Sequence, residues 1–198
     1  MKQTYYVHTW RQQMPMIECT LIKGYEKDTR QLLAERVTDA ASSTIGAHPD
    51  QVIVTIKEVH ATNYMRGRVT RMPAAAPKQP DILVREYLSA MEQRDLELAK
   101  QYLDKDFTMV FPGGVKFKKL EELILWSGKR YKSVKKSFES FDTSFNGLEA
   151  TVFCSGYLEG TWLNGEAFSE IRFIDRFIVS NMKIKFQSVW NDMAESLR

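Results

Sequence analysis

The sequence predicts an α+β protein of two domains. A small β-α-β unit comes first, followed by a larger unit whose helices pack on one face of a bent antiparallel sheet to form a cone-shaped barrel. Three observations carry this. The stretch "RMPAAAPKQPD", residues 71–81, has three prolines and no hydrophobic period, so it breaks the chain. Before it, two strand patterns flank one helical pattern. After residue 132, four long strand-like runs are separated by "FNGL", "LNGE" and "SNM", and Asn-Gly between alternating runs is a strong hairpin signal. The boundaries drawn from these features are an extension over 1–14, a first domain over 15–71, a linker over 72–80 and a second domain over 81–198.

In the first domain, "MIECTLI" at 16–22 alternates as a strand. Asp28 with Gln31 predicts a capping box, Leu33, Val37, Ala40, Ala41 and Thr44 recur at helical spacing, and Gly46 predicts the stop. Pro49 and Asp50 mark a turn before the β-branched run "QVIVTIKEV" at 51–59. Strands joined by a helical crossover pair in parallel. A two-stranded sheet is marginal alone, so this unit is expected to self-associate. The extension contains "TYYVHTW", an aromatic strand pattern suited to an added edge strand.

In the second domain, Pro80 opens a helix that places Leu83, Tyr87 and Met91 on one face. A short helix follows from Asp95, then a strand over "DFTMVF", a helix within "KKLEELILWSGKRY", and the meander. In "AFSEIRFIDRFIVS" one face carries Ile171, Phe173, Asp175, Phe177 and Val179. A carboxyl on that apolar face either finds a partner or stays protonated.

With 43% hydrophobic residues the chain can build a sizeable core. Its net charge of +3 is too small to argue for nucleic acid. Residues 1–72 hold 10 Lys/Arg against 7 Asp/Glu and the remainder is balanced, so the excess lies near Arg66, Arg68 and Arg71. No apolar run approaches membrane-spanning length and no secretory leader pattern opens the chain, so a cytoplasmic protein without membrane contact is expected. Cys19 and Cys154 form no metal-ligand or disulfide spacing, and no cofactor or metal is expected.

From Pro15 to about Gly67 the chain resembles 4-oxalocrotonate tautomerase and its relatives. The resemblance rests on a proline opening the strand, a glycine at the strand's end, a helix of this length and "V-I-V-T-I-K-E" in the second strand. It implies a proline whose free secondary amine moves a proton between carbons of an enol or dienol acid, in subunits assembled as closed groups. Such an amine has an ordinary pKa near 8, and a desolvated site lowers it toward working pH. An internal proline nitrogen is an amide with no basicity. Because Met1–Met14 precede Pro15, the mechanism requires a start at Met14 with methionine trimming, or processing; otherwise Pro15 is simply the first residue of a strand.

Two family arginines are replaced here, one by Tyr25 after Gly24 and one by Ile53. Each would supply a charge-assisted contact of about 1.5–3 kcal/mol to a substrate carboxylate. Tyr64 keeps the aromatic wall, and Arg66, Arg68 or Arg11 of a neighbouring subunit could restore a clamp; the other reading of this cluster is a solvated basic segment.

Residues 80–195 resemble the SnoaL-like branch of the nuclear-transport-factor-2-like superfamily, which includes ketosteroid isomerases. That pattern implies Tyr87 and a protonated Asp175 as two donors to a ligand oxygen. The family's general-base position falls at Phe111, and no histidine follows His60. Two donors without a base bind a carbonyl but abstract no proton; alternatively, they bond each other or the backbone. The combined expectation is a tautomerase-type isomerase using Pro15, with Tyr64, Tyr25, Arg66 and Arg68 at its site and a hydrophobic pocket holding a small carbonyl ligand near Tyr87 and Asp175. The alternative is a non-catalytic, oligomeric small-ligand-binding protein. Both families self-associate, which implies a homo-oligomer, a hexamer or a trimer or dimer.

Overall fold

A computed structural model of the chain describes residues 14–197; the expected edge strand in "TYYVHTW" and Arg11 lie outside them. The chain divides into two compact units, one ending at Ala76 and the other beginning at Pro77.

In the first unit, β1 (Met16–Ile22) and β2 (Ile53–Val59) pair in parallel from Met16↔Ile53 to Ile22↔Val59. Helix α1 (Lys27–Ile45) connects them and ends at Gly46, whose φ of 72° is the left-handed conformation that glycine adopts without strain. The helix begins one residue before Asp28, with Glu26 as its cap, and the expected capping box does not form. Gln31 instead donates to Glu35 one turn on, at 2.9 Å, and so cannot reach back to the start of the helix. Arg30 ties the loop after β1 to β2, donating to the Tyr25 carbonyl at 2.6 Å and to Glu58 at 3.1 Å. A small hairpin follows, β3 (Met65–Arg66) against β4 (Val69–Thr70), with Gly67 and Arg68 both at positive φ in the turn. This pair of left-handed residues is what a two-residue hairpin of the primed type requires.

The second unit starts with α2 (Pro80–Glu92) and α3 (Leu96–Lys100), the latter capped by Asp95 accepting from the Leu98 amide. Strands β5 (Leu103–Phe111) and β6 (Val115–Phe117), helix α4 (Leu120–Ser127), and the long strands β7 (Tyr131–Asn146), β8 (Glu149–Trp162), β9 (Ala167–Ser180) and β10 (Lys183–Asn191) follow. They form one open six-stranded sheet in the order β6-β5-β10-β9-β8-β7, antiparallel except for β10 on β5.

Strands β7 and β8 approach closely at two glycines. A Cβ on Gly156 would lie 1.9 Å from the Ser137 carbonyl oxygen, and one on Gly160 would lie 2.1 Å from that of Ser133. The neighbouring ladder slips between Phe138 and Ser140. The inward face of β9 carries Ile171, Phe173, Asp175, Phe177 and Val179, all buried, as the alternation predicts. With Leu83, Val84 and Tyr87 of α2 and Leu120 and Leu123 of α4 they make one continuous core.

Candidate functional site

Pro15 is half-buried at the head of β1, where its carbonyl accepts from the Ile53 amide at 2.9 Å. Tyr25 follows the opposite end of the same strand. Seven residues at about 3.3 Å each separate the two ends by roughly 23 Å, so one subunit cannot bring Pro15 and Tyr25 together. Tyr64, Arg66 and Arg68 come after the far end of β2, and all three are exposed. Ile53, beside Pro15 in the ladder, is 38% exposed, and its β1 partner Met16 is 74% exposed. The proline end of the first unit is therefore an open apolar edge.

The second unit encloses a cavity of about 130 Å³. It is walled by the buried Leu88, Leu123, Leu158, Phe173, Val189 and Met193 and the half-buried Phe111, Trp126 and Phe138. Phe111 stacks edge-on against Trp126 at 5.7 Å, and Phe138 against Phe173 at the same distance. Tyr87 and Gln187 form its polar floor, the tyrosine hydroxyl donating to Gln187 Oε1 at 3.2 Å.

Behind that floor lies Asp175, fully buried and absent from the cavity lining. Its Oδ2 accepts from Gln187 Nε2 at 3.1 Å and from the ammonium of Lys136, while Oδ1 has no hydrogen-bond partner among the described residues. The carboxyl therefore has partners at this depth. Of the two states open to it from sequence, it takes the partnered one. Burial, reinforced by the negative charge of Asp175, raises the Tyr87 hydroxyl well above the ordinary phenol range, so Tyr87 stays a neutral donor. The same two causes, burial first, push Cys154, across the ladder from Asp175, up to about 12.

Lys136 is the residue that sequence reasoning missed. The inward rows of β7, β8 and β9 run Lys136, Leu158, Ile171; then Phe138, Gly156, Phe173; then Phe141, Cys154, Asp175. The lysine reaches from the first row to the third across the middle one, passing 4.4 Å above the Phe173 ring. Gly156 contributes no side chain to obstruct it. The available signal was the alternation Val134, Lys136, Phe138, which sets a lysine at an apolar-face position. Gln187 was harder to see, because a bulge between Ile184 and Phe186 shifts the phase of β10.

Among the described residues there is no group of three or more His, Cys, Asp or Glu side chains able to hold a metal, and no helix long and apolar enough to cross a membrane.

The two units match different known proteins. From Pro77 onward the fold is that of nuclear-transport-factor-2-like proteins. One such protein of unknown function from Burkholderia pseudomallei superposes with a TM-score of 0.50 at 20% identity, over 61% of this chain and 97% of that one. Another from Burkholderia thailandensis gives 0.52 at 15% identity, over 62% and 99%. A protein named as a probable tautomerase from Ralstonia nicotianae is 37% identical over 67 residues, which are 34% of this chain and 91% of that protein. The profile of the family described as Tautomerase enzyme matches residues 15–70. Through its first unit, the chain belongs to the tautomerase family.

Proposed function

We propose that the protein is an isomerase of the tautomerase type that moves a proton on an enol or keto compound through the free amine of Pro15. The observation that carries the reading is that the family match begins at Pro15, the residue that heads β1. Once a neighbouring copy covers the exposed apolar edge of Ile53 and Met16, an amine there would be desolvated and its pKa lowered toward neutrality. Tyr25, Tyr64, Arg66 and Arg68 lie past the opposite end of the strands, so they enter the Pro15 site from a neighbouring copy. Tyr64 serves as its aromatic wall and an arginine as its carboxylate clamp. A homo-oligomer, a hexamer or a trimer or dimer, follows from this division of labour and from the uncovered apolar edge. The cavity of the second unit holds a small carbonyl compound, with Asp175 acting through Lys136 and Gln187, and Tyr87 at the floor.

Two measurements test this. Intact mass and N-terminal sequencing of the protein expressed from its own gene are expected to find chains beginning at Pro15. If every chain retains Met1, the amine mechanism is lost and the reading becomes that of an oligomeric ligand-binding protein. Where Pro15 is free, Pro15→Ala is expected to slow ketonisation of a simple enol acid by about 10²- to 10⁴-fold; an unchanged rate removes Pro15 from the chemistry.

A further inference from the structure

We propose that the cavity of the second unit is an acid-binding site, taking a compact planar molecule about one ring in size that carries a single carboxylate. This rests on reading the cavity as a ligand site, and does not depend on the chemistry of Pro15. Four cationic side chains line the cavity, the exposed Arg94 and Lys135 and the half-buried Arg130 and Lys136, against one carboxylate, the exposed Glu92. Lys135 is drawn outward toward Glu159 at 3.9 Å. Arg130 stays half-buried with its guanidinium 4.6 Å from the Trp126 ring. Asp175 answers the charge of Lys136 from behind the wall. An ammonium has three donors. One is used on Asp175, which leaves two for an occupant of the cavity that Lys136 lines.

Cationic donors such as Lys136 and Arg130, held against apolar walls, favour an anion over a neutral oxygen, because the bond is charge-assisted. The remaining walls decide the rest of the ligand. Phe111, Trp126, Phe138 and Phe173 offer flat aromatic surfaces. A volume near 130 Å³ is close to that of an apolar cavity that accepts a benzene ring, so a single ring suits it.

The test is equilibrium binding to the full chain by calorimetry, with benzoate as the probe and benzyl alcohol as its uncharged counterpart. Benzoate is expected to bind at least tenfold more tightly. Equal affinities, or no benzoate binding at millimolar concentration, overturn the proposal. Arg130→Gln is expected to reduce the preference severalfold. Lys136→Met is best made together with Asp175→Asn, so that no lone charge is left buried, and should bring the two affinities together. If this double variant fails to fold, Arg130→Gln, which lies outside the buried network, decides alone, and an unchanged preference overturns the assignment. The same titration on Pro15→Ala separates the two sites. Benzoate binding that persists there supports a site in the second unit, whatever becomes of the isomerase reading. Binding lost with Pro15→Ala places the acid at the first unit and ends the proposal.

Discussion

Between Met14 and Ala76, the sole buried apolar side chain among the described residues is Ala47, and α1 buries none. From Pro77 onward a continuous core runs from Leu83 to Met193. Both units carry Ile, Val, Leu and Met at regular spacing, but all eleven Phe and three of the four Trp follow Pro77, so composition is part of the difference and topology is the rest. A β-α-β unit with two strands has one layer on one layer, and each element can cover only one side of its neighbour. Met14, Met16, Ile53, Met65, Val69 and Met72 are left in solvent. The second unit packs a six-stranded sheet against its helices and buries its own interior around the cavity. The contrast also divides the candidate chemistry. The proposed Pro15 site needs another copy to cover its edge, whereas the cavity is lined by residues of the second unit alone.

The largest expected effect comes from attacking the self-contained core. Phe177 is fully buried, edge-on to Tyr87 at 6.0 Å and paired with Val152 and Gln187 on its neighbouring strands. Phe177→Ala is expected to cost the second unit about 3–5 kcal/mol, read as a lower urea midpoint of the near-ultraviolet dichroism of the full chain. A loss below 1 kcal/mol would mean that the core is looser than its burial indicates. The first unit should respond in the opposite manner. Ile53→Glu puts a charge on the open apolar edge, and is expected to dissociate the oligomer in light scattering while the midpoint of the second unit moves by no more than about 0.5 kcal/mol. An oligomer of unchanged size would show that copies meet elsewhere.

The same contrast explains what could be read from sequence. Local periodicity was enough for β1, α1, β2 and the meander, because each signal sits within a dozen residues: Gly46 at the helix stop, Asn-Gly at two hairpins, the alternation around Asp175. The face that Asp175 occupies was legible for this reason. Its partner was not, because Lys136 lies 39 residues away along the chain. The lysine also crosses two ladder rows, a reach that strand alternation does not encode. Gln187 was hidden by the bulge after Ile184, which turns a residue inward against the simple alternation of β10. In the first unit the difficulty is of another kind. Pro15, Tyr25 and Tyr64 are each recognisable, yet Pro15 and Tyr25 lie at opposite ends of β1, a separation that local patterning does not bridge.

The smallest expected effect is a change of slope with pH, and it probes the dry interior of the second unit directly. Cys154 is fully buried beside Asp175 and its thiol is pushed up to about 12, by burial first and then by that carboxylate. In the unfolded chain the same thiol ionises near its ordinary value of about 8.5. Between those values the folded protein holds a proton that the unfolded chain has released, so stability is fully present below about pH 8.5 and falls as the pH rises toward 12, by at most about 1.4 kcal/mol per pH unit. The Tyr87 hydroxyl, raised by the same causes, acts in the same direction at still higher pH. Cys154→Ala removes the first contribution. Its stability between pH 8.5 and 10.5 should decline less steeply than that of the parent, whatever the substitution costs at neutral pH. Identical slopes would show that water reaches Cys154, and with it the carboxylate that holds Lys136 at the cavity.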